Sequence, residues 1–461
     1  MRIRTAILLT ILLAAGIFSV NVVAGNVRLV SRRKLEENMM ESDASPIMVD
    51  SMDPPGAYVL VGGQNGTWFG PGQYPRLNQV SFETNSSTAL EPVRSDGTVW
   101  GGGFNGSQWL VSGWGSDDDS YGPYVWLYNG ATVVTEGSLD QYGQASSWSG
   151  GDVFAASYNG KEWLLSGLGS GVLPSYNPNQ STNHMSLGTF NGTSFTDLSN
   201  LVPEQQDAIL YTNAWNGKYW LVGGGYWSPV LFTFDGHTIV DLTLQAEKAI
   251  SNFGSVQAVA WNGNYWLIGG IGFLAKYDGR SFVDLTQELE NAVSTNFYSV
   301  NAIAWNGNSW LMGGGTPIAV VDQNKAWIAS YTPSGFTNLS PALPSYVSGN
   351  TGNSSILTIT TICGTWILGG YVNNRGLLLV YDGTSIIDYS GLVKGLRYVD
   401  WVSSPYSFLG CRRLVSQPAG THLTVTGLSD VPIVSMLLIA SWTEPSSPRR
   451  IARALPGPLE R

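Results

Sequence analysis

Residues that usually carry chemistry are scarce in this 461-residue chain, which has two cysteines, three histidines and only 12% charged residues. The two thiols, Cys363 and Cys411, cannot form the disulfide framework of a small secreted scaffold; one bridge between them and two buried thiols both stay open. His184, His237 and His422 fall in a long loop, a hairpin turn and the C-terminal tail. No spacing groups them for metal ligation or for a nucleophile and its base, so ordinary surface histidines are expected. Lys and Arg never cluster inside the repetitive part of the chain, and the formal net charge is −10. That excludes a nucleic-acid partner, because phosphate binding needs concentrated positive charge. No catalytic residue stands out and no cofactor is required.

Glycine and aromatic side chains are plentiful instead, with 56 Gly, 18 Trp and 21 Tyr. They recur in a fixed order. Trp-Asn-Gly-x-x-Trp-Leu-x-Gly-Gly is legible at Trp215–Gly224, Trp261–Gly270 and Trp305–Gly314, and aromatic-Asp-Gly followed by Asp-Leu at Phe234–Leu242 and Tyr277–Leu285. A repeat of roughly 40–57 residues with strand signals and tight-turn dipeptides points to the blade of a β-propeller. In the unit around Trp261 the expected strands are Val256 to Trp261, Tyr265 to Gly270, Phe273 to Tyr277 and Ser281 to Leu285. Asn262-Gly263 and Asp278-Gly279 would supply the positive backbone angles of two-residue hairpins. The double Gly is expected to let neighbouring blades approach, and the Trp pair to fill the wedge between them.

The second-strand pattern begins at Tyr58, Trp109, Trp163, Trp220, Trp266, Trp310 and Trp366, with a weak eighth at Tyr406 to Gly410. The first unit lacks its own first strand, whereas Tyr398 to Trp401 looks like a first strand without a unit. Joining the two closes the ring and removes exposed sheet edges. The expectation is an all-β, seven-bladed β-propeller of four-stranded antiparallel blades over residues 56–410, with eight blades as the alternative.

The repeat resembles the kelch and galactose-oxidase central-domain type of propeller, in which a double Gly also ends the second strand and Tyr-Asp precedes a turn. The resemblance covers about residues 57–410 and implies architecture. Where kelch units place a Trp after Tyr-Asp, this chain has Phe195, Ile239, Phe282, Phe336 or Ile386. Galactose-oxidase copper chemistry needs a cysteine cross-linked to tyrosine, and neither Cys363 nor Cys411 sits in a matching motif, so that activity is not implied.

The chain ends differ from the repeats. Arg2 and Arg4 precede an apolar run to about Val20, and Val22-Val23-Ala24 before Gly25 is a small-residue cleavage pattern, so residues 1–24 read as a signal peptide, with an uncleaved membrane anchor as the alternative. Residues 25–55 read as a linker or pro-segment and 411–461 as a tail without the repeat. A secreted or cell-surface location follows, and sequons at Asn65, Asn85, Asn105, Asn179, Asn191, Asn338 and Asn353 fit it.

In this topology the short first-second and third-fourth turns share one plain face, and the uneven second-third loops and inter-blade connections share the other. Binding residues are expected on the variable face. Its aromatic candidates are Trp114, Tyr121, Tyr124, Tyr176, Tyr226, Trp227 and Tyr371, joined by Arg375, and they suit a sugar ring or a protein hot spot as well as simple rim packing. Asp117, Asp118 and Asp119 could wrap Ca²⁺ but lack the alternation of a dedicated calcium loop, and a solvated turn is the plainer reading. Asp197, Asp241, Asp284 and Asp388 recur in register with the fold and read as strand terminators. Three functions follow from this: a non-catalytic module that binds an extracellular protein or glycan; a polysaccharide-acting glycosidase or lyase, for which Arg375, Asp322 and Asp207 are the only loop charges to nominate; and an architectural surface-layer or appendage component.

Overall fold

The computed structural model describes residues 58–404 except 66–74, 91–95, 118–119, 144–145, 170–183, 204–207, 227, 294–298, 316–324, 349–352 and 363, together with the backbone of Phe18–Val23 and Asn26–Ser31. Those last two strands pair antiparallel across the Ala24-Gly25 junction. Cys363, Cys411 and His422 lie outside the described residues. Among the described residues no helix is long and apolar enough to cross a membrane.

The chain is a seven-bladed β-propeller. Blades 2 to 7 each take four consecutive strands, and their innermost strands are Asp96–Phe104, Asp152–Tyr158, Leu210–Trp215, Val256–Trp261, Ser299–Trp305 and Ser354–Ile362. Blade 1 draws on both ends of the array: Tyr398–Ser403 lies innermost, followed by Tyr58–Gln64, Pro75–Ser81 and Ser86–Leu90. Val61 pairs with Val402 and Gln64 with Tyr398, so the orphan strand closes the ring as its sequence position implies. Each innermost strand packs beside that of the next blade all the way round, including blade 7 against blade 1 and blade 1 against blade 2. One backbone bridge, Gly315 to Ser355, ties blades 6 and 7.

Tryptophans fill the wedges. Trp109, Trp163, Trp220, Trp266 and Trp310 are all fully buried. Trp215 packs against Trp220 with ring centroids 4.4 Å apart and Trp261 against Trp266 at 5.1 Å, both pairs tilted, while the Trp310 indole N–H donates to the Tyr265 hydroxyl of the preceding blade at 3.0 Å. Such an indole buries a large apolar area and still satisfies its one polar atom.

The turns differ from expectation in one respect. Positive φ falls on the glycine alone (94° at Gly263, 93° at Gly279), and Asn262 or Asp278 occupies the residue before it. There the side-chain oxygen accepts the backbone N–H groups two and three residues on: Asn262 Oδ1 from Asn264 at 3.0 Å and Tyr265 at 2.9 Å, and Asp278 Oδ1 from Arg280 and Ser281, both at 2.8 Å. An Asx side chain standing in for a backbone carbonyl is the physical reason for the dipeptide.

The recurrent aspartates do end the fourth strands. Asp241 Oδ1 accepts the Thr243 N–H at 2.8 Å, and the Thr243 hydroxyl is bonded both by the Leu231 N–H and to the Leu231 carbonyl of the third strand. Asp284 with Thr286 and Leu274, and Asp388 with Ser390 and Leu378, repeat this clamp. Short helices follow at Thr243–Ala249 and Thr286–Val293. Leu289 packs inward, but Leu244 is 68% exposed and Ala249 is exposed too. Because the first helix starts at Thr243, the inward stripe is Leu242, Ala246 and Ile250.

Candidate functional site at the axial mouth

The double glycine has two separate jobs. A Cβ on the first one would strike a β-branched side chain of the next blade: Gly223 meets Val256, Gly269 meets Val300, Gly369 meets Val399 and Gly62 meets Val99. That is the expected close approach between blades. A Cβ on the second would instead strike a carbonyl of its own blade's innermost strand: Gly63 meets Tyr398, Gly113 Thr98, Gly167 Asp152, Gly224 Ile209, Gly270 Ser255, Gly314 Ser299 and Gly370 Ser355. In every case a β-bulge begins two residues after that carbonyl's residue. The second glycine makes room for the bulge, and a bulge re-aims a side chain.

The bulged residues are Asp400, Trp100, Phe154, Tyr211, Gln257, Asn301 and Leu357, one per blade from blade 1 to blade 7. All are half-buried. They form a ring on the innermost strands, one to four residues from where each strand enters from the variable face. Contacts cross the blade boundaries: the Trp100 and Phe154 rings are 5.4 Å apart and those of Phe154 and Tyr211 5.5 Å. Gly101 permits this, since a Cβ there would hit the Phe154 carbonyl. Asn301 reaches blade 7, donating to Ser355 Oγ at 2.9 Å and to the Ile356 carbonyl at 3.2 Å.

Two carboxyls on these strands are electrostatically unusual. Burial pushes Asp400 up to about 8 and Asp152, which opens the innermost strand of blade 3, up to about 7. Asp400 keeps part of its surface accessible, yet its Oδ2 is shut off from water without a hydrogen-bond partner. A carboxyl so placed holds its proton near neutral pH. Burial also raises Tyr211, with a smaller contribution from Tyr226, and raises Tyr371, with smaller contributions from Tyr398 and Asp400. The mouth therefore runs from Tyr226, 54% exposed on the variable face, inward to the ring.

The sequence candidates distribute unevenly around this mouth. Trp114 is half-buried, and its backbone pairs with Pro123 in a long hairpin of Trp109–Asp117 with Ser120–Tyr128, where a loop was expected. Tyr121 lies on that hairpin opposite Ser116, and Asp117 opposite Ser120; Asp118 and Asp119 lie outside the described residues. Tyr124 is buried against Trp126 at 4.9 Å, and Tyr371 is buried edge-on to Tyr398 at 5.0 Å, so neither is the exposed aromatic its loop position implied. Arg375 is exposed after a tight Asn373-Asn374 turn with φ of 49° and 61°. Tyr176, Trp227, Asp207, Asp322 and Asn179 lie outside the described residues. His184 starts a strand and is buried, unlike the surface loop residue expected, while His237 is exposed in its turn.

Of the sequons, Asn85, Asn105 and Asn191 sit in plain-face turns. Asn338 spends its amide on the Val293 carbonyl at 3.4 Å. The bulge ring itself escaped the sequence reading. Its one signal is the second glycine, and nothing local says which residue opposite it will be expelled from the ladder.

No family model matches the sequence, and no curated relative does either. Among solved structures the chain is similar to the β-propeller domain of the Trilobed protease from Pyrococcus furiosus, described as revealing an open velcro topology, at 11% identity and a TM-score of 0.37 over 63% of this chain and 84% of that one. Kelch membership is not established by these comparisons.

Proposed function

We propose that this protein is an extracellular, non-catalytic binding propeller that engages a protein or glycan with its variable face, centred on the axial mouth. The observation that carries this reading is the asymmetry between the two ends of the axis. One face is paved with near-identical Asx-Gly turns whose polar atoms are spent on their own backbone. The other opens onto half-buried aromatics and a carboxyl without a partner on Oδ2. Rigid blades hold those groups in place, as a binding site needs. Export rests on the N-terminal pattern and the sequons, and the acidic turn at Asp117 to Asp119 stays a candidate for Ca²⁺.

The test is capture on glycan and extracellular-protein arrays with paired variants. Tyr226→Ser with Arg375→Ser on the variable face should reduce capture at least tenfold, whereas Lys161→Ser with Lys218→Ser on the plain face should leave it unchanged. The opposite pattern sinks the reading.

A second reading has one observation in its favour. Asp152 and Asp400 hold protons near neutrality on innermost strands, as the general acid of a glycosidase must. Turnover of a captured polysaccharide, lost in Asp400→Asn, would establish it.

A further inference from the structure

We infer that the arc Asp400, Trp100, Phe154 and Tyr211 at the axial mouth takes an organic cation, an alkylammonium or guanidinium group; this deepens the binding reading above and rests on it.

Three aromatic side chains on consecutive blades form a continuous surface, Trp100 to Phe154 to Tyr211, tilted by 33° and 71° at successive contacts. Aromatic faces turned at angles to one another attract a cation that a flat stack would not enclose. On the neighbouring blade 1, the equivalent bulge position carries a carboxyl, Asp400. Burial raises the pKa of Asp400, and no cation among the described residues contributes. Among the described residues, Tyr371 from blade 7 interacts electrostatically with it, and Tyr398 and Arg397 precede it on its own segment. Arg397 lies over the Tyr398 ring, 5.6 Å from its centroid, and does not serve as the counter-ion. Asp400 is thus a carboxyl in an aromatic setting, with no counter-charge among the described residues.

The far side of the ring speaks against a neutral sugar as the preferred occupant. A sugar-reading site needs amides with hydrogen bonds to spare. Asn301 uses both ends of its amide, donating to Ser355 and Ile356 and accepting from Ser299 Oγ at 2.6 Å, and Gln257 donates to Ser255 Oγ at 3.0 Å. Those amides brace the bulges. Asn301 is thereby spent and Gln257 partly so, which leaves the aromatic arc and the carboxyl as the main ligand-facing groups of the described ring.

Docking a cation favours the ionised carboxylate, so Asp400 gives up its proton to solvent as the ligand arrives. Binding therefore releases protons and strengthens as pH rises from 5 toward 8.

The experiment titrates the full chain by calorimetry with tetramethylammonium chloride, with arginine amide, and with the same arginine inside a Gly-flanked peptide. Sodium chloride at equal ionic strength and cellotetraose serve as controls. Saturable binding of an organic cation, with proton release seen as a buffer-dependent heat at pH 7 and an at least tenfold loss in Asp400→Asn, supports the site. Asparagine keeps the shape of the side chain, and the proton release is read on the unaltered protein, so the test does not depend on the variant folding. Tighter binding of the peptide than of arginine amide identifies a protein side chain as the source, and equal binding a free amine. No saturable cation binding, cation binding without proton release, or binding unchanged in Asp400→Asn overturns the inference. Cellotetraose binding without cation binding overturns it too, while array capture that still depends on Tyr226 and Arg375 leaves the binding reading standing.

Discussion

A single buried carboxyl gives the molecule a definite response to pH. Unfolded, Asp400 titrates near an ordinary aspartate value of about 4; folded, burial lifts it to about 8. Between those values the folded state binds the extra proton, so this residue makes stability fall as pH rises from 4 to 8. Asp152, lifted to about 7, acts in the same sense. The turn aspartates Asp235, Asp278 and Asp382 act in the opposite one: backbone N–H groups hold their pKa down, so their contribution is present above the unfolded value and disappears on acidification. Asp400→Asn should raise stability at pH 8 by several kcal/mol, up to about 5, and leave it unchanged at pH 4. Thermal unfolding across that range checks it, and a loss of stability at pH 8 would show that the carboxylate is the favoured form.

At the scale of the element, two glycines that look alike in sequence do different work. Gly263 takes φ of 94° in a turn with open space around its Cα, so Gly263→Ala meets only backbone strain, about 1–2 kcal/mol. Gly270 has no unusual φ, but a Cβ there would collide with the Ser255 carbonyl and the Phe273 ring. Gly270→Ala must flatten the bulge or part the strands, and should cost more than Gly263→Ala, about 3 kcal/mol or above. Denaturant unfolding of the two variants separates the causes. The clamp between strands offers a third comparison. Thr286→Ala strands the buried Leu274 N–H and should cost about 1–3 kcal/mol, while Thr286→Ser keeps the hydroxyl and most of the stability.

These elements also show how far the sequence carried. Strand bounds in the blade around Trp261 were legible because Asn262-Gly263 and Asp278-Gly279 punctuate them. Asp241, Asp284 and Asp388 were legible as terminators because they recur. Trp114 to Tyr124 is not legible as strand, because its Gly and Pro residues mask a hairpin whose pairing, not its composition, makes it strand. The axial ring was illegible for a different reason. Its members, from Asp400 to Leu357, share no residue type; what they share is a register set by a glycine on the neighbouring strand.

The whole molecule depends on one non-local joint. Blade 1 has its innermost strand from Tyr398–Ser403 and the rest from Tyr58–Leu90. Ending the chain at Arg397 leaves the Tyr58–Gln64 edge unpaired and removes Trp401, Val399 and Val402 from the cores shared with blades 2 and 7. Exposed edges of this kind recruit other strands. The truncated chain should lose cooperative unfolding and self-associate, as calorimetry and size-exclusion chromatography would report; a monomer with unchanged cooperativity would show that closure contributes little.

That joint also sets the order of events during synthesis. Blades 2 to 7 are contiguous and can form one after another as the chain emerges, but the first strand of the propeller waits some 340 residues for its innermost partner, the separation of Tyr58 and Tyr398. Pairing across so long a loop is slow relative to local hairpins. Until then the growing array is an open spiral with a bare edge, and its last step certifies that the repeat region has been made in full.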